Sequence, residues 1–160
     1  MKKIMIMRHA KSDWSDGSLR DFDRPLNKRG EKAAPLMGKK IKKLGLTPDL
    51  IISSPALRAR MTAETVAKNC GYKNDIVWND SFYFGYTSEI IDAIKKLDSS
   101  VENIMIFGHN PTWSNVSEIL SGEFISMKTA DLVVLEYKGK WKKLDRGKCR
   151  LINHISPKDI

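Results

Sequence analysis

The chain reads as an α/β protein, a three-layer α/β/α sandwich around a mostly parallel central sheet. Three observations predict this. The runs Ile4-Met5-Ile6-Met7, Leu50-Ile51-Ile52 and Ile104-Met105-Ile106-Phe107 are strand-length and continuously apolar, as strands buried on both faces are. Segments between them carry apolar residues at helical spacing. The two kinds of segment alternate, and that order builds a parallel sheet flanked by helices.

Taken in order, residues 3–7 form the first strand. Residues 10–27 lack periodicity and read as a long loop, a kind that is usually functional or disordered. Asn27 caps a helix running to about Leu44, with Ala33, Met37, Ile41 and Leu44 inward. Pro35 fits that helix only as a kink or a late start, and Gly45 is a C-terminal stop. Residues 49–53 form the second strand. Ser54-Pro55 is a cap followed by proline at the first helical position, and Ala59, Ala63, Val66 and Cys70 make the next apolar stripe. Residues 75–78 are a short third strand. Residues 88–97 are a helix with Ile90, Ile91, Ile94 and Leu97 inward. Residues 103–107 are the fourth strand. Asn110-Pro111 repeats the cap-then-proline pattern before a helix to about Leu120, ended by Gly122. In the tail, 130–137 and 141–144 around Lys138-Gly139-Lys140 read as a hairpin, and 149–155 as one more strand. With no repeat or linker, residues 1–160 are expected to be one domain.

The bulk composition sets the class. At 160 residues the chain can bury a real core. No apolar run approaches the roughly 20 residues of a membrane helix, so no membrane partner is expected. The amino-terminal stretch is too short and too soon charged for a signal peptide, and a cytoplasmic location is expected. Cys70 and Cys149 lack metal-ligand spacing and read as free thiols. Lys plus Arg number 28 against 19 for Asp plus Glu, a formal charge of +9. Such a balance attracts phosphates, nucleic acids and acidic proteins alike. Paired lysines such as Lys39-Lys40 and Lys142-Lys143 read as a solvated surface, and aromatic residues do not interleave with them as single-strand binding requires. No nucleic-acid partner is expected.

The chemistry sits at strand exits. Met7-Arg8-His9-Ala10 ends the first strand, Ser53-Ser54-Pro55-Ala56-Leu57-Arg58 follows the second, and Phe107-Gly108-His109-Asn110-Pro111 follows the fourth. Open α/β sheets bind ligands at these carboxyl ends. If the first and fourth strands are neighbours, two imidazoles share one pocket with Arg8. Arg58 then lies near a helix N-terminus, where free N–H groups and the dipole attract anions. Its planar fork grips phosphate oxygens in pairs. A lone strand-end histidine is more often structural. The three segments together describe a phosphate site with a nucleophile in it.

With these motifs the chain resembles the histidine phosphatase superfamily, the phosphoglycerate mutase-like proteins. The family's Arg-His-Gly appears here as Arg8-His9-Ala10, similar to the small SixA-type phosphohistidine phosphatases. The Ser-Pro-x-x-Arg-Ala element matches Ser54-Pro55-Ala56-Leu57-Arg58-Ala59, with Met61 in place of the usual Gln and Thr62-Ala63 retained. The second histidine, in a hydrophobic-Gly-His context, matches His109. The segment from Asp23 to Gly30 resembles the family's Pro-Leu-Thr-x-x-Gly element. The match spans residues 1 to about 120 and implies a phosphoglycerate mutase-like fold.

The resemblance implies that His9 is the nucleophile, forming a phosphohistidine intermediate, while Arg8, Arg58 and His109 surround the transferring phosphoryl. Imidazole suits the task because much of it is neutral near its ordinary pKa. No metal and no cofactor are implied. Arg24 could add charge at the pocket floor, and Arg20, Lys11 and Ser12 could line its mouth. His154 matches no motif and reads as structural or exposed. Larger relatives draw a proton-donating glutamate from the region that here reads Asn79-Asp80-Ser81-Phe82-Tyr83-Phe84-Gly85. Asp80 is a substitute donor and Glu89 a remote one. An alcohol leaving group needs a proton as its bond breaks, whereas a phosphohistidine can depart already protonated. The expected substrate is therefore phosphohistidine on a phosphotransfer protein. The alternatives are a small phosphorylated molecule hydrolysed at the same site, or a non-catalytic phosphate-binding module.

Overall fold

A computed structural model describes residues 1–160. Six strands, β1 (Lys2–Arg8), β2 (Leu50–Ser53), β3 (Ile76–Trp78), β4 (Asn103–Gly108), β5 (Leu132–Tyr137) and β6 (Cys149–Ile155), form one sheet in the order β3-β2-β4-β1-β5-β6. The first four strands in that order are mutually parallel, and β5 runs antiparallel to both β1 and β6. The sheet is mixed, with its parallel part where the sequence places it.

Four helices cover it: α1 (Lys28–Lys43), α2 (Leu57–Cys70), α3 (Thr87–Lys95) and α4 (Thr112–Ser121). Alternate residues of β1 explain the layering. Ile4 and Ile6 join one core with Ile90 and Ile94 of α3 and Trp113, Val116 and Leu120 of α4. Met5 and Met7 join a second core with Ala34, Met37 and Ile41 of α1 and Ala63, Val66 and Cys70 of α2. One strand, buried on both faces, thus feeds two cores and must be apolar throughout.

Local chemistry sets most boundaries. Asn27 Oδ1 accepts from Gly30 N at 2.9 Å, capping α1, and Pro35 lies inside that helix. Gly71 and Gly122 close α2 and α4 with φ of 83° and 74°, the left-handed region that glycine enters without cost. None of the helices is long and apolar enough to cross a membrane.

Two expectations are corrected. Residues 141–144 do not return as a strand: Trp141–Lys143 is a 3-10 turn, and Trp141 is buried with its Nε1 donating to Val101 O at 2.8 Å. The strand that follows β5 and pairs with its free edge is β6. Ser54 is not the N-cap of α2, which starts at Leu57 after Ala56. Its hydroxyl is used elsewhere.

Candidate active site

Sheet register builds the site. Arg8 pairs with Gly108 across β1 and β4, so the next residues, His9 and His109, leave neighbouring strands side by side. His9 N donates to Gly108 O at 3.1 Å, and the two ring centroids are 5.1 Å apart. Gly108 is required there, because a Cβ on it would lie 2.4 Å from the Trp113 indole. Ser54 N donates to Phe107 O at 2.9 Å, bringing the β2 exit to the same point. Thr62 ties α2 to this exit: it accepts from Ala10 N at 3.0 Å and donates to Arg58 O at 2.7 Å. A pocket of about 180 Å³ results, lined by Arg8, His9, Arg58 and His109, with Lys11 and Ser12 on its wall.

The imidazoles are held in defined states. His9 Nδ1 lies 2.7 Å from Ala10 O. A carbonyl only accepts, so Nδ1 carries the proton and Nε2 keeps its lone pair. Burial, reinforced by the Arg58 and Arg8 charges, lowers the His9 pKa to about 4 against the pull of that carbonyl bond. His109 Nε2 lies 2.8 Å from Ser54 Oγ, which also accepts from Ala56 N at 3.2 Å. With no other acceptor within reach, the Ser54 proton goes to Nε2 and leaves the proton of His109 on Nδ1. Burial, then the His9 and Arg58 charges, lower the His109 pKa to about 2. His109 Nδ1 and Arg8 Nε are both buried without a partner. Unpaired buried polar groups are costly.

The guanidiniums are fixed from behind. Arg8 Nη1 donates to Met127 O at 3.1 Å, and Asn110 Nδ2 to the same carbonyl at 2.8 Å. Arg58, 3% exposed, donates from Nη1 to Asp21 O at 2.7 Å and from Nη2 to Asp21 Oδ2 at 2.9 Å. Tyr83 OH donates to that same Oδ2 at 2.8 Å. Burial raises the Asp21 pKa, but the Tyr83 and Arg58 bonds outweigh it and hold the carboxyl ionised.

Two named candidates lie outside the pocket. Arg24 turns its guanidinium over the Trp14 ring, 4.2 Å from the centroid, and supports the rim rather than the floor. Asp80 is exposed in the Asp80–Phe82 turn and does not line the pocket. Glu89 accepts from Tyr86 N as part of the α3 cap, and Arg20 is paired with Asp23. The carboxylate in the pocket is Asp21, which sequence reasoning missed. Its signal was faint, one acid among several in an aperiodic loop. Tyr83, Phe84 and the hydroxyl of Ser54 were also missed as site groups. Phe84 sits against His109 with ring centroids 5.0 Å apart and adopts φ 59°. That conformation costs a non-glycine residue about 1 kcal/mol. His154, read as structural, pairs with buried Asp131 at 2.9 Å.

Residues 4–80 match the model of the histidine phosphatase superfamily, branch 1. An uncharacterised chloroplastic protein of Arabidopsis thaliana is 36% identical over 147 residues, covering 86% of this chain and 67% of that protein. The putative phosphohistidine phosphatase SixA of Agrobacterium tumefaciens has a TM-score of 0.85 at 29% identity, over 98% of both chains. A protein histidine phosphatase SixA solved with tungstate shares the fold, with a TM-score of 0.86 at 20% identity over 98% of both chains. The chain belongs to the histidine phosphatase superfamily, and it is a phosphatase with the fold of the small SixA-type members.

Proposed function

We propose that this phosphatase is metal-independent, works through a phosphohistidine on His9, and hydrolyses phosphohistidine on a phosphotransfer protein. The observation that carries the reading is the His9 tautomer. A neutral ring with its Nε2 lone pair free lies among Arg8, Arg58 and His109.

In the first step Nε2 attacks phosphorus, an Nε2–P bond forms, and the bond from phosphorus to the leaving nitrogen breaks. Arg8, Arg58 and the His109 Nδ1–H spread over the equatorial oxygens and neutralise charge that a metal would otherwise take. The proton on His9 Nδ1 stays against Ala10 O, which stabilises the positive ring of the intermediate. Water then attacks phosphorus, the Nε2–P bond breaks and returns its electron pair to Nε2, and inorganic phosphate leaves carrying the water's oxygen and protons.

Two observations support a protein-borne phosphohistidine. Asp21 is ionised in the free protein, so it brings no proton of its own to an alcohol. Trp14 and Phe84, 60% and 53% exposed, stand at the mouth of the pocket. Exposed aromatics beside a reactive pocket suit contact with a protein surface. The second reading, a small-molecule phosphomonoesterase, rests on Asp21 as well. A dianion arriving beside that carboxylate raises its pKa and could deliver the proton an alkoxide needs.

The test compares a phosphohistidine-bearing phosphotransfer protein with aryl and alkyl phosphates, all in EDTA. The proposal expects activity that survives EDTA, with phosphohistidine fastest. Alkyl phosphates cleaved as fast as phosphohistidine would favour the second reading, and loss of activity in EDTA would end metal independence.

A further inference from the structure

A second cleft of about 470 Å³ opens directly beside the active site, and the two share Lys11 and Thr129 as common wall. It runs between the first turns of α1, the segment 128–131 and the segment 156–158. Its charge is one-sided. Lys11, Arg29, Lys32, Lys128 and Lys158 line it against one acid, Asp131. That acid is 1% exposed; its Oδ2 is engaged by His154 Nε2 and Lys128 N, both at 2.9 Å, while its buried Oδ1 has no partner. Arg29, Lys32, Lys128 and Lys158 are exposed and face the cleft without an ion-pair partner.

The placement of Arg29 is unfavourable for folding. Arg29 lies in the first turn of α1, where the free N–H groups already present positive charge, and Lys32 lies just past it; Glu31 is the one acid in that turn. Here the sequence is Lys28-Arg29-Gly30-Glu31-Lys32. Three cations outnumber Glu31, so the helix end and the side chains leave a net positive field. Gly30 presses this end onto the catalytic loop, since a Cβ there would lie 2.3 Å from Lys11 O. The positive field is thereby locked to the residue two positions after His9.

We propose that this cleft docks an acidic surface segment of the phosphorylated protein, seating it while its phosphohistidine enters the pocket next door. The inference rests on the reading of the substrate as a phosphoprotein. It adds that the partner carries carboxylates beside its phosphorylated histidine. The cleft, about 470 Å³, is more than twice the pocket's 180 Å³, and the two divide the work into docking and chemistry.

The test uses binding, so that it stands apart from turnover. A fluorescent glutamate-rich decapeptide without phosphate, its glutamine counterpart, and sodium tripolyphosphate are titrated at low salt against the protein saturated with tungstate. The comparison variant is Arg29→Glu/Lys32→Glu/Lys158→Glu: Arg29→Glu puts an acid in the first turn of α1, where it is favoured, and Lys32 and Lys158 are exposed, so the variant should fold. The glutamate peptide should bind, the glutamine peptide should bind at least tenfold more weakly, and the variant should lose at least tenfold in affinity for the glutamate peptide. The variant's kcat on a saturating aryl phosphate should stay within twofold. Equal binding of the two peptides, or unchanged binding by the variant, overturns the proposal. Tripolyphosphate binding tighter than the peptide overturns it too, and assigns the cleft to small polyanions. Turnover of a phosphohistidine peptide is measured separately: its absence sinks the phosphohistidine reading, while the binding series decides the cleft.

Discussion

Acid should destabilise this protein through its two active-site rings, by an amount that can be worked out. His9 has a folded pKa of about 4 and His109 of about 2, against about 6.5 unfolded. Between those values the unfolded chain binds protons that the folded site refuses. Stability therefore rises with pH through this window. It is fully present above about pH 6.5 and drains away as pH falls toward the folded values. For His9 alone, going from pH 7 to pH 5 removes about 2 kcal/mol. His109 removes a similar amount, so the pair reaches at most about 4 kcal/mol, a large share of a domain's typical 5–15. The perturbation is His9→Gln. The assay is urea unfolding of wild type and variant at pH 7 and pH 5. The loss on acidification should shrink by about 2 kcal/mol in the variant. An unchanged loss would show that His9 titrates normally when folded, and the claim of a neutral, buried nucleophile would fall.

Other substitutions separate the parts. Asp21→Asn keeps the main-chain contact to Arg58 but removes the carboxylate that Arg58 and Tyr83 share. Alkyl phosphate turnover should drop at least tenfold and phosphohistidine turnover much less; equal losses would make Asp21 a positioning group for both. Ser54→Ala frees His109 Nε2, and kcat should fall about tenfold with the fold intact, near the 1–2 kcal/mol of one buried hydrogen bond. Gly108→Ala forces a Cβ into the Trp113 ring and should cost at least 1–3 kcal/mol in chemical denaturation; a stability change under about 0.5 kcal/mol would show that the contact relaxes.

What the sequence revealed follows physical locality. The strands β1, β2 and β4 were legible because burial on both faces demands unbroken apolar runs. The helices α1 and α2 were legible because their stripes face one core. The four groups Arg8, His9, Arg58 and His109 were legible because each sits at a strand exit or the helix turn after one, and the register Arg8 to Gly108 then brings them together. The tail was misread because Trp141 is a tertiary anchor, held by a carbonyl some forty residues away, and no local pattern announces that. Ser54 was misread for a related reason. It carries a cap's composition, but its hydroxyl is claimed by His109 from another strand. Asp21 was invisible because a loop gives no period to read, and only folding sets it against Arg58 and Tyr83. Asp80 had the opposite history, near the right segment in sequence but facing solvent in space.

The most direct test is to catch the phosphoryl group on the protein. Wild type is mixed with a phosphorylated substrate, quenched within milliseconds under alkaline denaturing conditions that preserve phosphohistidine, digested and mapped by mass spectrometry. The phosphate should appear on the peptide carrying His9, vanish in His9→Ala, and accompany a loss of turnover of two to three orders of magnitude or more. Phosphate on His109, or turnover that persists in His9→Ala, would contradict the account.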